Sequence, residues 1–380
     1  MKITFLCADL NLSGGVRMIA GYADHLQKRG HQVTIVSRGR RSPSWSKRFK
    51  ALLKGQPIPP TKVPDLTYFQ NPQVVIKTID GEGPMQEKDL PDGDILIATF
   101  WLTAEWSQHF SPKKGAKVYF VQHHEVFDYN PPENQERAKK TYRLPFHKIV
   151  IAQWLKDLMA TQYGDAQTSL VPNSVDTQLF NAPPRSKQSP PTVGVMYSPA
   201  YWKGVELSFQ GVELARQTIP DLRLLVFSSY QPTADLPLPP NCDFYYRPAQ
   251  ETLKNLYGQC DAWLFGSSIE GFGLPILEAM ACRTPVIATP VGAAPELVSQ
   301  GAGILLPSRD PAEMAQAIIQ IAQMSDQAWQ NLSEKAYQEA TGYTWEDATT
   351  RFEQALQTAI SFCPFQGDPP KSPLKKGTCP

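Results

Sequence analysis

The chain has 380 residues, of which 42% are hydrophobic and 19% charged, and its formal net charge at pH 7 is +1. This length is large for one hydrophobic core and predicts two domains of ordinary globular composition. The balanced charge gives no indication of a nucleic-acid partner, and no apolar stretch approaches the length of a membrane span. The start, Met1–Asp9, is too short and too quickly polar for a signal peptide, and it is predicted to be a strand.

The six cysteines are scattered, without the spacing of metal ligands. Cys7, Cys260 and Cys282 lie in apolar runs and are interpreted as buried, small hydrophobic side chains. This usage predicts a reducing, cytoplasmic environment.

A first βαβ unit is predicted at the start of the chain, with strands at 3–8 and 32–36 and a helix ending near Gly30. Its helix follows the glycine pair Gly14 and Gly15, which lacks the third glycine of a dinucleotide-binding fingerprint. The pair has two readings, a tight turn or close approach of the backbone to a ligand, and we favour the second.

A basic insertion is predicted at about 40–64. On a helix, Trp45, Phe49, Leu52 and Leu53 would share one face with basic residues around it. Trp45–Lys54 could then contact an anionic membrane surface, placing the protein peripherally at the inner membrane face. The alternative is an insertion whose apolar face packs on its own domain.

Strands are also predicted at 94–100 and 116–122, and the second runs directly into His123, His124 and Glu125. Residues just past the carboxyl ends of strands are where open α/β sheets bind ligands. Because adjacent side chains on a strand point to opposite faces, one strand cannot easily direct both histidines at one metal ion. We expect one histidine to line a cleft and the other to be structural.

Residues 181–191 form a linker by composition, and a second alternating series follows. Its strands are predicted at 193–197, 222–227, 262–265 and 285–288, with helices near 205–217, 251–258 and 311–324. The fold class is therefore α/β, with two Rossmann-like, doubly wound parallel sheets facing a cleft. The N-terminal domain covers 1–180 and the C-terminal domain 192–345; a helix at 346–362 packs back on the first domain, and 363–380 is disordered.

The stretch Ser267–Cys282 follows the strand at 262–265 and combines glycines, a proline and two acids. Glu270 lies in the loop, Pro275 suits the start of a helix, and Glu278 falls near its first turn. The stretch could be an ordinary strand–loop–helix turn, but its composition favours a loop that binds an anionic or hydroxyl-rich ligand.

These residues resemble the E-x7-E signature of retaining GT-B glycosyltransferases, in particular glycosyltransferase family 4 (glycosyl transferases group 1). The signature comprises Glu270–Pro275 and Glu278–Ala281. The flanks Thr284–Thr289, Pro295–Val298 and Lys203–Gly204 are similar to the family as well, and Ser13–Val16 matches more loosely.

The resemblance implies a metal-independent hexosyltransferase that uses no cofactor and takes a UDP- or GDP-sugar as donor. Its acceptor would be a glycan, a lipid or a small molecule, as in polysaccharide or glycolipid biosynthesis. The implied catalytic residues are Glu270 near the donor sugar, Lys203 at the leaving diphosphate and His123 at the transferred sugar. Donor binding is expected from Gly14, Gly15, Lys203, Glu270, Gly271, Phe272, Gly273, Leu274 and Glu278, the last at the ribose hydroxyls; His124, Arg247 and Ser198 are further candidates.

The sequence departs from the family in the region Val195–Pro199, where relatives carry an arginine that pairs with the lysine. Arg283 replaces a usual glycine, and Ala293 replaces the second glycine of a pair. Alternatives to a transferase are therefore a GT-B relative with another reaction, such as an epimerase or a phosphorylase, or a catalytically silent binding protein.

Overall fold

The computed structural model describes residues 1–43, 45–58, 61–81, 83–298 and 301–362. The tail predicted to be disordered, 363–380, lies outside the described residues. The chain divides into two compact units. Among the described residues, the first unit contains Met1–Phe120, Glu125–Ile149 and 352–362, and the second contains Val121–His124 and Val150–Arg351. The domain limits predicted from the sequence stay predictions.

The first sheet has seven strands in the order β3-β2-β1-β4-β5-β6-β7. The strands are β1 (Lys2–Cys7), β2 (Gln32–Arg38), β3 (Val75–Ile79), β4 (Ile95–Ala98), β5 (Ala116–Val121), β6 (His147–Val150) and β7 (Ser169–Leu170). The helices between them are α1 (Gly14–Lys28), α2 (Trp45–Leu53), α3 (Trp101–Ser107), α4 (Pro132–Thr141) and α5 (Gln153–Tyr163). Strand β1 pairs in parallel with both β2 and β4, so the chain reverses its direction of growth across the sheet at β1.

The second sheet has six strands in the order β10-β9-β8-β11-β12-β13. The strands are β8 (Thr192–Met196), β9 (Arg223–Ser228), β10 (Cys242–Tyr246), β11 (Ala262–Phe265), β12 (Val286–Ala288) and β13 (Gly303–Leu305). The helices are α6 (Val205–Arg216), α7 (Leu253–Gly258), α8 (Leu274–Ala281), α9 (Ala294–Val298), α10 (Pro311–Gln323), α11 (Asp326–Thr341) and α12 (Trp345–Ser361). Its reversal point lies between β8 and β11, which pair in parallel.

Apolar strands buried on both faces explain why these two sheets form. All four residues of β4 and of β11 are buried, as is typical of parallel strands covered by helices. In the first unit Phe352 of α12 stacks on Tyr22 with ring centroids 4.3 Å apart, and it contacts Phe5 and Phe120. The predicted pair of parallel α/β sheets is confirmed.

The basic insertion forms the predicted helix α2, but its apolar face does not pack on the protein. Trp45, Phe49, Leu52 and Leu53 are 84%, 61%, 67% and 73% exposed, whereas Ala51 is buried. Packing of that face on its own domain was therefore the wrong alternative. Among the helices described, none has both the length and the apolarity to cross a bilayer.

Candidate functional site

The loop between β11 and α8, residues 266–273, approaches its neighbours too closely for side chains at its glycines. A Cβ on Gly271 would overlap the backbone carbonyl of Gln122. Gly273 has φ of +95°, and a Cβ there would lie 2.9 Å from the Phe265 ring. Pro275 lies in the first turn of α8, where a missing N–H costs little. We call residues 266–273 the donor loop, after the role predicted for it.

The structure brings Lys203 and Glu270 into direct contact. The Lys203 ammonium lies 2.6 Å from Oε1 of Glu270, and the Ser267 hydroxyl donates to the same oxygen at 3.0 Å. Lys203 ends a short 3-10 helix after β8, whereas Glu270 follows β11. Because β8 and β11 are neighbours at the reversal point, their carboxyl ends bring these two loops together, as in other open α/β sheets.

His123 is half-buried beside this ion pair. Its Nδ1 lies 2.9 Å from the backbone oxygen of His124. Burial lowers the pKa of His123, and the nearby Lys203 ammonium acts in the same direction, while the His124 carbonyl and the Glu270 carboxylate oppose the shift. The imidazole is therefore neutral at pH 7. His124 instead places Nε2 2.7 Å from the hydroxyl of Tyr163.

Glu278 is buried in α8, and its carboxylate has a fixed orientation. The hydroxyl of Tyr257 on α7 donates to Oε2 of Glu278 at 2.8 Å. Phe272 is buried next to the start of α8 and Leu274 is its first residue. The second unit thus contains all the donor-site candidates predicted on β8 to α8, and it brings Lys203, Glu270 and His123 together.

Gly14 and Gly15 open α1 in the first unit, where Ser13 caps the helix by accepting a hydrogen bond from the Val16 N–H at 3.4 Å. They therefore lie at a helix N-terminus just past β1, the position at which a ligand loop was predicted. Their role in donor binding stays a prediction.

Arg247 and Ser198 are engaged elsewhere in the second unit. Arg247 donates from Nε to the Ser229 carbonyl at 3.2 Å and lies over the Tyr246 ring. Ser198 is buried and accepts from the Ala200 N–H at 3.3 Å. The described ion-pair partner of Lys203 is Glu270.

Sequence reasoning missed the contacts of four side chains, three at the predicted site and one that holds the backbone next to it. Ser267 and Tyr257 hold the two glutamates, as described above. Trp154 donates from its indole N–H to the Gly271 carbonyl at 2.8 Å. Glu296 accepts hydrogen bonds from the backbone N–H groups of Gln153 and Trp154, both at 3.1 Å. Trp154 could have been found from its place just past β6, because β6 is the neighbour of β5, which leads into His123.

Arg283 has a backbone conformation that suits the glycine expected here from the family resemblance. Its φ is 60°, in the left-handed region that glycine enters without strain. The side chain compensates, since Nε donates to the Ala182 carbonyl at 3.1 Å, the guanidinium pairs with Glu334, and it stacks 4.0 Å from the Tyr337 ring centroid. The substitution is thus accommodated on the α11 side, away from Lys203 and Glu270.

Within the described ranges, no group of three or more His, Cys, Asp or Glu side chains could hold a metal ion. The predicted independence from metals and cofactors stays a prediction. The three apolar-run cysteines are confirmed as buried free thiols.

Comparison with known proteins assigns the chain to a family. Residues 12–179 match the family model described as Glycosyltransferase Family 4, and residues 191–324 match the model described as Glycosyl transferases group 1. The fold and these two matches define the chain as a GT-B protein. It belongs to glycosyltransferase family 4, as the sequence motifs predicted.

Individual relatives match over shorter stretches. The O-antigen chain mannosyltransferase B of Escherichia coli is 35% identical over 102 residues, which are 27% of this chain and 26% of the relative. The D-inositol 3-phosphate glycosyltransferase of Corynebacterium urealyticum is 34% identical over 128 residues, 33% of this chain and 30% of the relative. The matched stretches therefore span less than a third of the length of these two curated relatives.

Solved structures share the whole fold. Anabaena Alr3699/HepE in complex with UDP and glucose superposes with a TM-score of 0.71 at 18% identity, covering 94% of this chain and 100% of that chain. This likeness supports the GT-B fold of both sheets.

Proposed function

We propose that the protein is a retaining glycosyltransferase that moves a hexosyl group from a UDP- or GDP-sugar to a glycan, lipid or small-molecule acceptor. The observation that carries the proposal is the contact of Lys203 with Glu270 at the reversal point of the second sheet, with His123 beside it. Family membership and the UDP and glucose bound by Alr3699/HepE support a donor of this class.

Lys203 would act on the leaving group. When the bond between the sugar and the diphosphate breaks, negative charge grows on the diphosphate oxygens. A fixed ammonium stabilises that charge most in a site shielded from water, and Lys203 is held by Glu270 and by the turn at Gly204. A donor diphosphate would compete with Glu270 for the ammonium and would leave the Glu270 carboxylate to face the sugar.

Glu278 would bind the nucleotide through its ribose hydroxyls. A carboxylate is a strong acceptor for two neighbouring hydroxyl groups, and Tyr257 fixes the orientation of this one. The His123 imidazole, which lies near Glu270, would donate to or accept from a hydroxyl of the transferred sugar.

The donor proposal is tested by calorimetric titration of the full chain with UDP-, GDP-, ADP- and dTDP-sugars. Glu278→Gln keeps the size of the side chain but removes its charge, and we expect it to weaken donor binding about tenfold or more. Glu206→Gln, an exposed carboxylate in the first turn of α6, is the matched control and should bind like the parent. Absence of binding for all four donors, or equal binding by both variants, would refute the proposal.

Slow hydrolysis of the donor in the absence of an acceptor tests whether the reaction is retaining and independent of metal ions. Proton NMR should show the first-formed sugar with the anomeric configuration of the donor, and excess EDTA should leave the rate unchanged. Inversion or loss of rate in EDTA would contradict the retaining, metal-independent assignment. A catalytically silent binding protein, which the missing arginine in Val195–Pro199 favours, would bind the donor without hydrolysing it, even with a panel of sugar acceptors.

We also propose that α2 attaches the protein peripherally to an anionic membrane. Four large apolar side chains of this helix are exposed on one face, and the small Ala51 on the opposite face is buried. The stretch 45–54 contains four basic residues and no acidic one. Apolar insertion combined with attraction to anionic lipid is typical of interfacial helices.

Flotation of the full chain with phosphatidylcholine vesicles, with and without phosphatidylglycerol, tests this attachment. We expect binding only with the anionic lipid, and its loss in Trp45→Ser/Phe49→Ser. Leu214→Ser, an exposed apolar residue of α6, is the control and should float like the parent. Equal flotation of the double variant, or flotation without anionic lipid, would contradict the proposal.

A further inference from the structure

Helix α5 contacts both histidines that follow β5. Trp154, in its first turn, meets the His123 ring edge-to-face with ring centroids 6.3 Å apart. Tyr163, its last residue, places its hydroxyl 2.7 Å from Nε2 of His124. A helix of 11 residues thus fixes the two rings from its opposite ends.

Trp154 also holds the donor loop. Its indole N–H donates to the Gly271 carbonyl at 2.8 Å. Gly271 is buried and packs on the carbonyl of Gln122, which is the residue directly before His123. The Trp154 side chain therefore contacts both the donor loop, which carries Glu270, and the His123 ring.

The first turn of α5 is anchored by Glu296. Ala152 at the N-cap has no side-chain oxygen, so the first N–H groups of the helix need another acceptor. The Glu296 carboxylate supplies one oxygen to Gln153 and the other to Trp154. A carboxylate at this end also interacts favourably with the helix dipole.

We propose that Trp154 is a positioning residue of the donor site, which sets the distance between His123 and the donor loop, and that Glu296 positions Trp154. The inference rests on the proposed transferase function for its kinetic consequences. Neither side chain needs to touch the donor, since each acts through Gly271, His123 or the start of α5.

The proposal predicts separate effects for the two parts of the indole. Trp154→Phe keeps an aromatic ring against His123 but removes the hydrogen bond to Gly271, so the donor KM should rise about three- to tenfold with little change in kcat. Trp154→Ala removes both contacts and should also lower kcat for donor hydrolysis about tenfold or more, because the sugar and the His123 imidazole are no longer held in the correct relative position. Glu296→Ala should resemble Trp154→Phe, and Glu296→Gln should recover part of the loss.

The NMR titration of the His123 ring provides a readout that a purely structural role would not move. The charged groups that face this ring are Glu270 and Lys203, and burial lowers its pKa. Trp154→Ala should expose the ring and raise its pKa towards the ordinary value, whereas Trp154→Phe should leave it near that of the parent. The resonance is assigned with His123→Gln, and Trp106→Phe, a half-buried tryptophan of α3, is the control.

An unchanged His123 pKa in folded Trp154→Ala, or donor kinetics of Trp154→Phe equal to those of Trp106→Phe, would overturn the proposal. If Trp154→Ala fails to fold, the donor KM values of Trp154→Phe, Glu296→Ala and Glu296→Gln still test the proposal. If the parent binds no donor, the transferase proposal fails, and the titration of His123 tests the positioning role independently.

Discussion

At the scale of single residues, Gly204 explains why a lysine–glycine pair is needed beside the donor loop. Gly204 has φ of +60°, and a Cβ there would overlap the carbonyl of Gly266, the first residue of the donor loop. The left-handed turn at Gly204 therefore allows the segment that ends at Lys203 to pack directly against the donor loop. The sequence could predict the pair from its resemblance to the family, but the close approach to Gly266 depends on two strands far apart in the chain.

Gly204→Ala is therefore expected to destabilise the protein through two separate costs. The left-handed backbone costs about 1–2 kcal/mol for a residue with a Cβ, and the overlap adds about 1–3 kcal/mol. Gly164 is the matched control, because its φ is +73° and a Cβ there would meet nothing within 4 Å. Urea unfolding should show a clearly larger loss of unfolding free energy for Gly204→Ala than for Gly164→Ala; equal losses would contradict the overlap.

The site residues that could be predicted are those whose chemistry is visible in one short stretch. Glu270 and Glu278 share the motif around the donor loop, and His123 follows an apolar strand. Trp154 and Glu296 could not be predicted in their present relation, since 142 residues separate them and only Glu296 lies in a stretch that resembles the family. Their contact depends on how α5 and α9 pack, which no local pattern encodes.

At the scale of secondary structure, the central strands could be predicted and the edge strands could not. Buried strands such as β4 and β11 are continuous apolar runs, and β1 is apolar except for Lys2 and Thr4. Strands β3 and β10 end their sheets, are largely exposed and mix polar with apolar residues, so they carry no such run. Helix α11 was missed for a related reason: it buries only Trp329, Ser333, Ala336 and Ala340 along an otherwise polar sequence.

Helix α2 is the element whose sequence pattern predicted the helix but not what its apolar face contacts. Its amphipathic spacing predicted the helix, yet the same spacing could not tell whether the apolar face meets protein or solvent. The exposure of Trp45 and Leu53 settles that question for the isolated chain and leaves lipid as the proposed contact. An amphipathic pattern predicts a face, whereas the surroundings of that face depend on the tertiary structure.

At the scale of the whole molecule, both sheets place their candidate residues at the reversal points or at the strands next to them. In the first sheet Gly14 follows β1, the strand at which the order of strands reverses. In the second sheet Lys203 follows β8 and the donor loop follows β11. The same topology thus repeats in both sheets, and the alternation of strands and helices in the sequence was sufficient to predict it.

The first unit also contains a buried carboxyl group that joins three of its elements. Glu125 is 4% exposed, and one of its oxygens accepts hydrogen bonds from the Trp101 N–H at the start of α3 and from the Tyr119 hydroxyl of β5, both at 2.7 Å. The backbone N–H of Glu125 donates to the Tyr142 hydroxyl, just after α4, at 2.8 Å. Burial raises the pKa of Glu125 to about 8, against an ordinary value of 4.5.

The stability of the first unit should therefore fall as the pH rises. Below pH 4.5 the carboxyl is protonated in both the folded and the unfolded chain, and above about pH 8 it is ionised in both. Between these values the folded chain holds the extra proton, so the unfolding free energy decreases progressively by a few kcal/mol. Glu125→Gln, which cannot ionise, should lack this decrease, whereas Glu133→Gln, an exposed carboxylate of α4, should retain it. Hydrogen exchange of the β1 and β5 amides between pH 5.5 and 8.5, corrected for intrinsic exchange rates, measures the difference; parallel declines in both variants would show that Glu125 is not the group responsible.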